Sequence, residues 1–287
     1  MGAPFDAVHI AAFFDQYGVE EWDRHDKSAS GRVSLAVHND LLAELVHPGD
    51  LVLDAGAGPG RFTIELARLG ARVHVCDLSP GQLELNREKV TEAGHEGAVV
   101  ARDVLDVCDL ASLASGSFDA VVCFGGPLSY ARDRAPDALA ELARVTKPGG
   151  HVLVSVMSTL GAMRAFLPLV FDEHRRFGPE HTEHIFLTGE LDRETNRGHE
   201  MRMFRGSEIA ELCAAHGRIV VSAAANYLTA GADPALIEGL SENEWQRLLS
   251  WERRLCREPG VLDSGTHILV AFQRPVGDGG SGATIGA

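Results

Sequence analysis

Residues 51–63, Leu-Val-Leu-Asp-Ala-Gly-Ala-Gly-Pro-Gly-Arg-Phe-Thr, constrain the fold more than any other stretch. The apolar run Leu51-Val52-Leu53 reads as a buried parallel strand, ended by Asp54. Glycines follow at every second position, Gly56, Gly58 and Gly60. Phe62, Leu66 and Leu69 then recur with helical spacing, with Arg61, Glu65 and Arg68 opposite, and Gly70 provides a left-handed stop. A strand, a glycine turn and a helix in this order let a ligand approach bare backbone beside the unpaired N–H groups of a helix start.

The glycine spacing separates two ligand classes. A dinucleotide fingerprint is G-x-G-x-x-G, and counted from Gly56 and Gly58 its third glycine would fall at Arg61. The chain instead reads D-x-G-x-G-x-G. In this it resembles the first motif of class I S-adenosylmethionine (SAM) dependent methyltransferases, whose glycine loop contacts the amino-acid end of SAM.

Later segments supply the other motifs of that family in order. Arg72 to Cys76 reads as a second strand with Asp77 at its carboxyl end, and Ser79-Pro80-Gly81-Gln82 opens a helix with a capping signal. An acidic side chain there accepts two hydrogen bonds from a ribose diol. Ala98 to Ala101 reads as a short third strand, followed by Asp103 and Val104, which the resemblance assigns to the adenine. Phe118 to Phe124 forms a fourth strand whose end, Gly125-Gly126-Pro127-Leu128-Ser129-Tyr130, faces the reacting methyl group in this family. Residues 135–146 read as a helix, and Val145 through Gly150 matches the family's RV-x-x-PGG turn into strand five, His151 to Met157. The resemblance thus implies a cofactor site of Asp54, Gly56, Gly58, Gly60, Asp77, Leu78, Asp103, Val104, Phe124 and Gly125.

The expected fold is α/β: a Rossmann-like, doubly wound seven-stranded sheet whose last strand is antiparallel. Residues 1–48 form a helical leader, 49–157 the SAM-binding core, 158–205 an insertion serving as substrate lid, 206–274 the rest of the core, and 275–287 a disordered Gly/Ser-rich tail. In the family such a leader covers the cofactor, which makes Tyr17, Trp22 and Arg32 candidates for SAM or substrate contact. Within the insertion, Leu160 to Phe177 reads as a helix, and Ile185 to Leu191 and His199 to Phe204 as two strands. His199 alternates there with Met201 and Met203 and is a candidate base, while His181 and His184 read as solvated loop residues. Ser129 and Tyr130 are the nearest polar groups to the methyl end, with Tyr130 a second catalytic candidate. Further on, 233–239 reads as a turn, Ser241 and Glu244 cap a final helix, and Thr266 to Gln273 is the last strand.

Composition narrows the substrate. Twenty-six basic against 41 acidic residues give a net charge of −15, which repels phosphate backbones, so nucleic acid is not the expected partner. The end of strand four has no Asn/Asp-Pro-Pro-aromatic motif, no Pro-Cys pair and no carboxylate pair. These absences speak against base or amide N-methylation, pyrimidine C5 attack and a metal-dependent catechol-type site. No segment approaches the ~18 apolar residues of a membrane helix, and five cysteines without disulfide or metal spacing suit a reducing cytoplasm. The expectation is a metal-independent methyltransferase acting on O, N or C of a small metabolite, as a monomer or homodimer. The alternatives are a SAM-binding protein that does not methylate, and, least favoured by Arg61, a nicotinamide oxidoreductase.

Overall fold

The computed structural model describes residues 5–196 and 198–276. The tail expected over 275–287 falls almost wholly outside them. The leader comprises α1 (Ala7–Tyr17), α2 (Glu20–Asp23) and α3 (Ala29–Leu45). Then β1 (Leu51–Ala55), α4 (Arg61–Arg68), β2 (Arg72–Asp77), α5 (Pro80–Glu92) and β3 (Val99–Val104) alternate. They are followed by β4 (Phe118–Cys123), α6 (Pro127–Ala131), α7 (Ala135–Val145) and β5 (Thr146–Met157). The insertion holds α8 (Thr159–Ala165), α9 (Leu167–Phe177), α10 (Pro179–Thr188), β6 (Glu190–Leu191) and β7 (Met201–Arg202). The chain returns through α11 (Gly206–Ala214), β8 (Arg218–Ala225), α12 (Pro234–Glu238), α13 (Glu242–Leu255) and β9 (His267–Gln273).

Seven strands form one sheet in the order β3-β2-β1-β4-β5-β9-β8. The first five run parallel, and β9 inserts antiparallel between β5 and β8. Parallel strands need both faces covered. Accordingly, alternate residues of β1 feed two apolar clusters: Leu53 and Ala55 join Leu139, Leu142 and Phe272, while Val52 joins Leu42, Leu66 and Val73 on the other face. The order reverses between β1 and β4, and in open α/β sheets that is where ligands bind.

Helix ends follow local chemistry. Ser79 Oγ accepts from the Gln82 amide with Pro80 at the first helical position, and Ser241 and Glu244 cap α13 reciprocally. Four sequence expectations give way. Leu160 to Phe177 is two helices, broken at Phe166, where Pro168 cannot join a continuing ladder. Ile185 sits in α10, not in a strand: Pro179 starts that helix and Gly189, left-handed, stops it. The expected hairpin shrinks to two-residue strands, Glu190–Leu191 against Met201–Arg202. Residues 234–238 are helical rather than a turn, capped by Asp233. His181 and His184 accordingly lie on α10, facing Glu173 (3.6 Å) and Glu190 (3.7 Å).

Candidate cofactor and acceptor site

A cleft of about 850 Å³ opens over the carboxyl ends of β1, β2 and β4. Its floor begins with the glycine turn. Gly56, Gly58 and Gly60 all have positive φ, 69°, 52° and 97°. They serve different ends. A Cβ on Gly56 would strike Pro127 Cγ at 2.4 Å, and one on Gly60 would press Asn86 Nδ2 at 3.0 Å, so these two permit packing of the loop. A Cβ on Gly58 would meet nothing nearer than 3.8 Å, and Gly58 lines the cleft. Gly58 therefore leaves bare backbone facing the cleft, a cradle that a side chain would fill.

Asp77 closes one side. Its Oδ2 accepts from the Gly58 amide at 2.8 Å and its Oδ1 from the Ser79 amide at 2.9 Å. Burial pushes its pKa up, opposed by these bonds. Leu78 lines the cleft beside it. Asp54 lies underneath and does not line the cleft. It is 1% exposed, and Thr63 Oγ1 donates to it at 2.6 Å. Burial lifts its pKa to about 7. Asn86 donates to Thr63 Oγ1 (2.9 Å), Arg102 donates to Asn86 (3.0 Å), and Arg102 pairs with Glu96, so a polar chain props the glycine turn from below. Asp54 and Gly60, both expected at the cofactor, thus lie behind the cleft rather than on its surface.

The adenine candidates shift. Asp103 is outside the cleft, on a half-exposed flank, with its Oδ2 2.7 Å from His74 Nε2. Val104 is 54% exposed. The physical reason is strand length: β3 continues to Val104, paired with Asp77, so Asp103 is still in the ladder opposite Cys76. The segment leaving the sheet is Leu105-Asp106-Val107, and those three line the cleft. Asp106 Oδ1 accepts from the Cys108 amide at 2.8 Å. A strand read three residues too short hid it.

The leader forms the roof, through residues other than those expected. Phe14, Glu21, Arg24 and His25 line the cleft. Glu21 Oε1 lies 2.6 Å from Arg24 Nε, and Arg24 Nη2 reaches the Gly125 carbonyl at 3.4 Å. Burial raises the Glu21 pKa and drives His25 down to about 2. Tyr17 stacks on Phe13 instead. Arg32 pairs with Glu238 at 2.8 Å and overlies Trp245, on the outer surface. Trp22 receives Arg61, whose guanidinium carbon sits 3.8 Å from the ring centroid and whose Nη2 donates to the Trp22 carbonyl. The leader is anchored to α5: Gln82 Nε2 donates to the Phe14 and Gly18 carbonyls, and Asp15 accepts from Gly81 N.

At the end of β4, Phe124, Gly125 and Tyr130 line the cleft. Ser129 does not: it is fully buried and accepts from the Met157 amide at 3.0 Å. Tyr130 Oη lies 2.7 Å from His199 Nε2. The two catalytic candidates therefore meet, with Tyr130 on the cleft and His199 behind it. His199 also stacks on Phe13 at 4.7 Å, and Phe14 meets Tyr130 edge-on at 5.0 Å. Burial lowers His199 to about 4 and raises Tyr130, so both are neutral near pH 7. Met201 and Met203 are buried in a neighbouring cluster that Tyr130 packs against. Two residues past Tyr130, buried Arg132 takes a left-handed φ of 52° and faces Glu200, Glu190 and Asp192 at 3.5, 3.9 and 3.9 Å. It holds the segment carrying His199 against the end of α6.

Residues 52–150 match the profile of a methyltransferase-domain family. Over that span the chain is similar to a methyltransferase domain. The demethylmenaquinone methyltransferase of Thermobifida fusca is 37% identical over 158 residues, 54% of this chain and 64% of that protein. A ubiquinone biosynthesis O-methyltransferase of Xanthomonas campestris is 34% identical over 147 residues, 50% of this chain and 58% of that one. The chain thus spans less than two thirds of the length of these relatives. In three dimensions the chain is similar to the [4+2]-cyclase SpnF, with a TM-score of 0.60 at 17% identity, over 96% of this chain and 100% of that one. It is also similar to the 1,6-didemethyltoxoflavin-N1-methyltransferase of Burkholderia thailandensis, solved with 1,6-didemethyltoxoflavin and S-adenosylhomocysteine bound. There the TM-score is 0.55 at 21% identity, over 96% and 92% of the two chains. At such identities these likenesses speak for the fold.

Proposed function

We propose that the chain transfers a methyl group from SAM to an oxygen, nitrogen or carbon atom of a small molecule by in-line displacement. One observation carries the reading: Gly58, Asp77, Asp106, Phe124, Gly125 and Tyr130, from four successive strand ends, converge on a single cleft. The open space at the Gly58 Cβ position fits a ligand lying against backbone. Bound there, SAM supplies a methyl group already activated by its sulfonium.

The chain's own residues then bind, align and exclude water. Asp77 offers carboxylate oxygens to a diol, and Asp106 accepts from an exocyclic amine. Glu21 and Arg24, opposite charges 2.6 Å apart, suit the ammonium and carboxylate of an amino acid. The roof of α1 and the Tyr130–His199 pair border the space left for the acceptor. A hydroxyl acceptor on Tyr130 Oη would hand its proton through the phenol to the neutral imidazole. An amine acceptor needs only to arrive neutral.

The substrate reading is a small molecule, without nucleic acid, handled by a monomer or homodimer in the cytoplasm. Five buried free thiols support a reducing compartment. No helix among the described residues is long and apolar enough to cross a membrane. Methyl transfer from labelled SAM into extracts of the source cells, followed by mass identification of the product, tests the activity. Absence of S-adenosylhomocysteine binding by calorimetry at millimolar ligand would overturn it.

A further inference from the structure

The insertion contains a second cavity, of about 510 Å³, enclosed by α8, α9, α10 and the start of the 192–200 segment. That size is typical of small-molecule pockets, about 300–1,000 Å³. Its walls are aliphatic and methionine side chains, among them Met163, Val170, Ile185 and Met203, with Thr182, Asn196 and Glu173 as the polar members. Glu173 already faces His181 at 3.6 Å. The mouth carries Phe166 and Leu169, 49% and 51% exposed, and α9 buries none of its residues. An apolar hollow with a half-exposed apolar rim releases water favourably when a hydrocarbon enters. Unbranched methionines adapt their shape to irregular apolar ligands.

Position says which ligand. Ala162, Ile185 and Met203 line this cavity, and they form one cluster with Met201, against which Tyr130 packs from the cofactor cleft. The two cavities therefore share a wall a few side chains thick. We propose that the second cavity takes the aliphatic chain of the methyl acceptor, whose polar reacting end reaches Tyr130 when the Met201 and Met203 side chains of the shared wall turn aside. This inference rests on the methyl-transfer reading and narrows it to amphiphilic acceptors.

The test uses the fluorescent fatty acid 11-(dansylamino)undecanoic acid, displaced by 4-octylphenol, with S-adenosylhomocysteine binding measured by calorimetry on the same preparations. Wild type should bind the probe with a blue shift and release it to octylphenol. Val170→Trp fills the cavity, and Leu169→Asp charges its mouth at a half-exposed position, with far-ultraviolet dichroism checking that both variants fold. Each should weaken the probe about tenfold, the factor expected when two methylenes are kept out, and leave S-adenosylhomocysteine binding intact. The proposal fails if wild type ignores the probe, or if both variants bind it as wild type does. It also fails if the chain ignores the probe yet sediments with phosphatidylcholine vesicles, which would make this face a lipid-docking surface. Loss of S-adenosylhomocysteine binding in wild type would instead sink the methyl-transfer reading, whatever the probe does.

Discussion

The phenol of Tyr130 and the imidazole of His199, 69 residues apart, meet at 2.7 Å between the cofactor cleft and the insertion. If they relay the acceptor proton, Tyr130→Phe and His199→Ala should each lower kcat by about 10²-fold while S-adenosylhomocysteine affinity stays put. The double variant should be no worse than either single one, because the pair acts as a unit.

The same pair gives a pH signature. The folded pKa of His199, about 4, lies below the 6.5 of an ordinary imidazole. The unfolded state then binds more protons between those values, so this group's stability contribution is complete above about pH 6.5 and is lost as pH falls toward 4. Wild type should lose about 3 kcal/mol relative to His199→Phe across that window. Denaturant titrations at pH 7 and pH 4 check it, and equal slopes for both proteins would contradict the burial argument.

Gly56 and Gly58 should separate folding from binding. Gly56→Ala places a methyl 2.4 Å from Pro127 and should lower Tm. Gly58→Val should abolish S-adenosylhomocysteine binding while far-ultraviolet dichroism shows the sheet intact. Retained binding would refute the assignment of Gly58 as the bare-backbone contact.

Asp77→Ala removes a carboxylate fixed by two amides and should weaken cofactor binding by about 2 kcal/mol. Asp106→Ala should weaken it too, and Asp103→Ala should not, since Asp103 is engaged with His74 on the flank. Calorimetry on the three variants decides between the two acidic residues of the β3 exit.

Asp54, raised to about 7, holds its proton over much of the neutral range. A folded pKa above the unfolded one costs stability as pH rises through that interval. Asp54→Asn, which keeps a polar partner for Thr63, should therefore gain stability over wild type as pH rises from about 4 to about 7. A wild type that gains on the variant over that range would count against a desolvated carboxyl.

The sheet and the glycine turn were legible because their signals are local: apolar runs, positive-φ glycines and capping residues within a few positions of each other. Asp77, Phe124, Gly125 and Tyr130 followed from strand ends. What escaped was set by distance or by length. Glu21 and Arg24 reach the cleft only because Gln82 and Asp15 fasten the leader to α5, a contact between segments more than 60 residues apart. Asp106 was hidden by three extra residues in β3. The insertion misled because β-branched and aromatic residues near Ile185 sit between Pro179 and Gly189, whose helix-bounding geometry outweighed strand propensity.

The placement of β9 matters for biosynthesis. It is the last of the seven strands to leave the ribosome, yet it belongs between β5 and β8. Until it arrives, both of those strands present open rows of amide groups on a nascent chain, the condition under which strands recruit foreign partners. Synthesis stalled ahead of His267 should thus yield aggregates rather than a smaller folded chain.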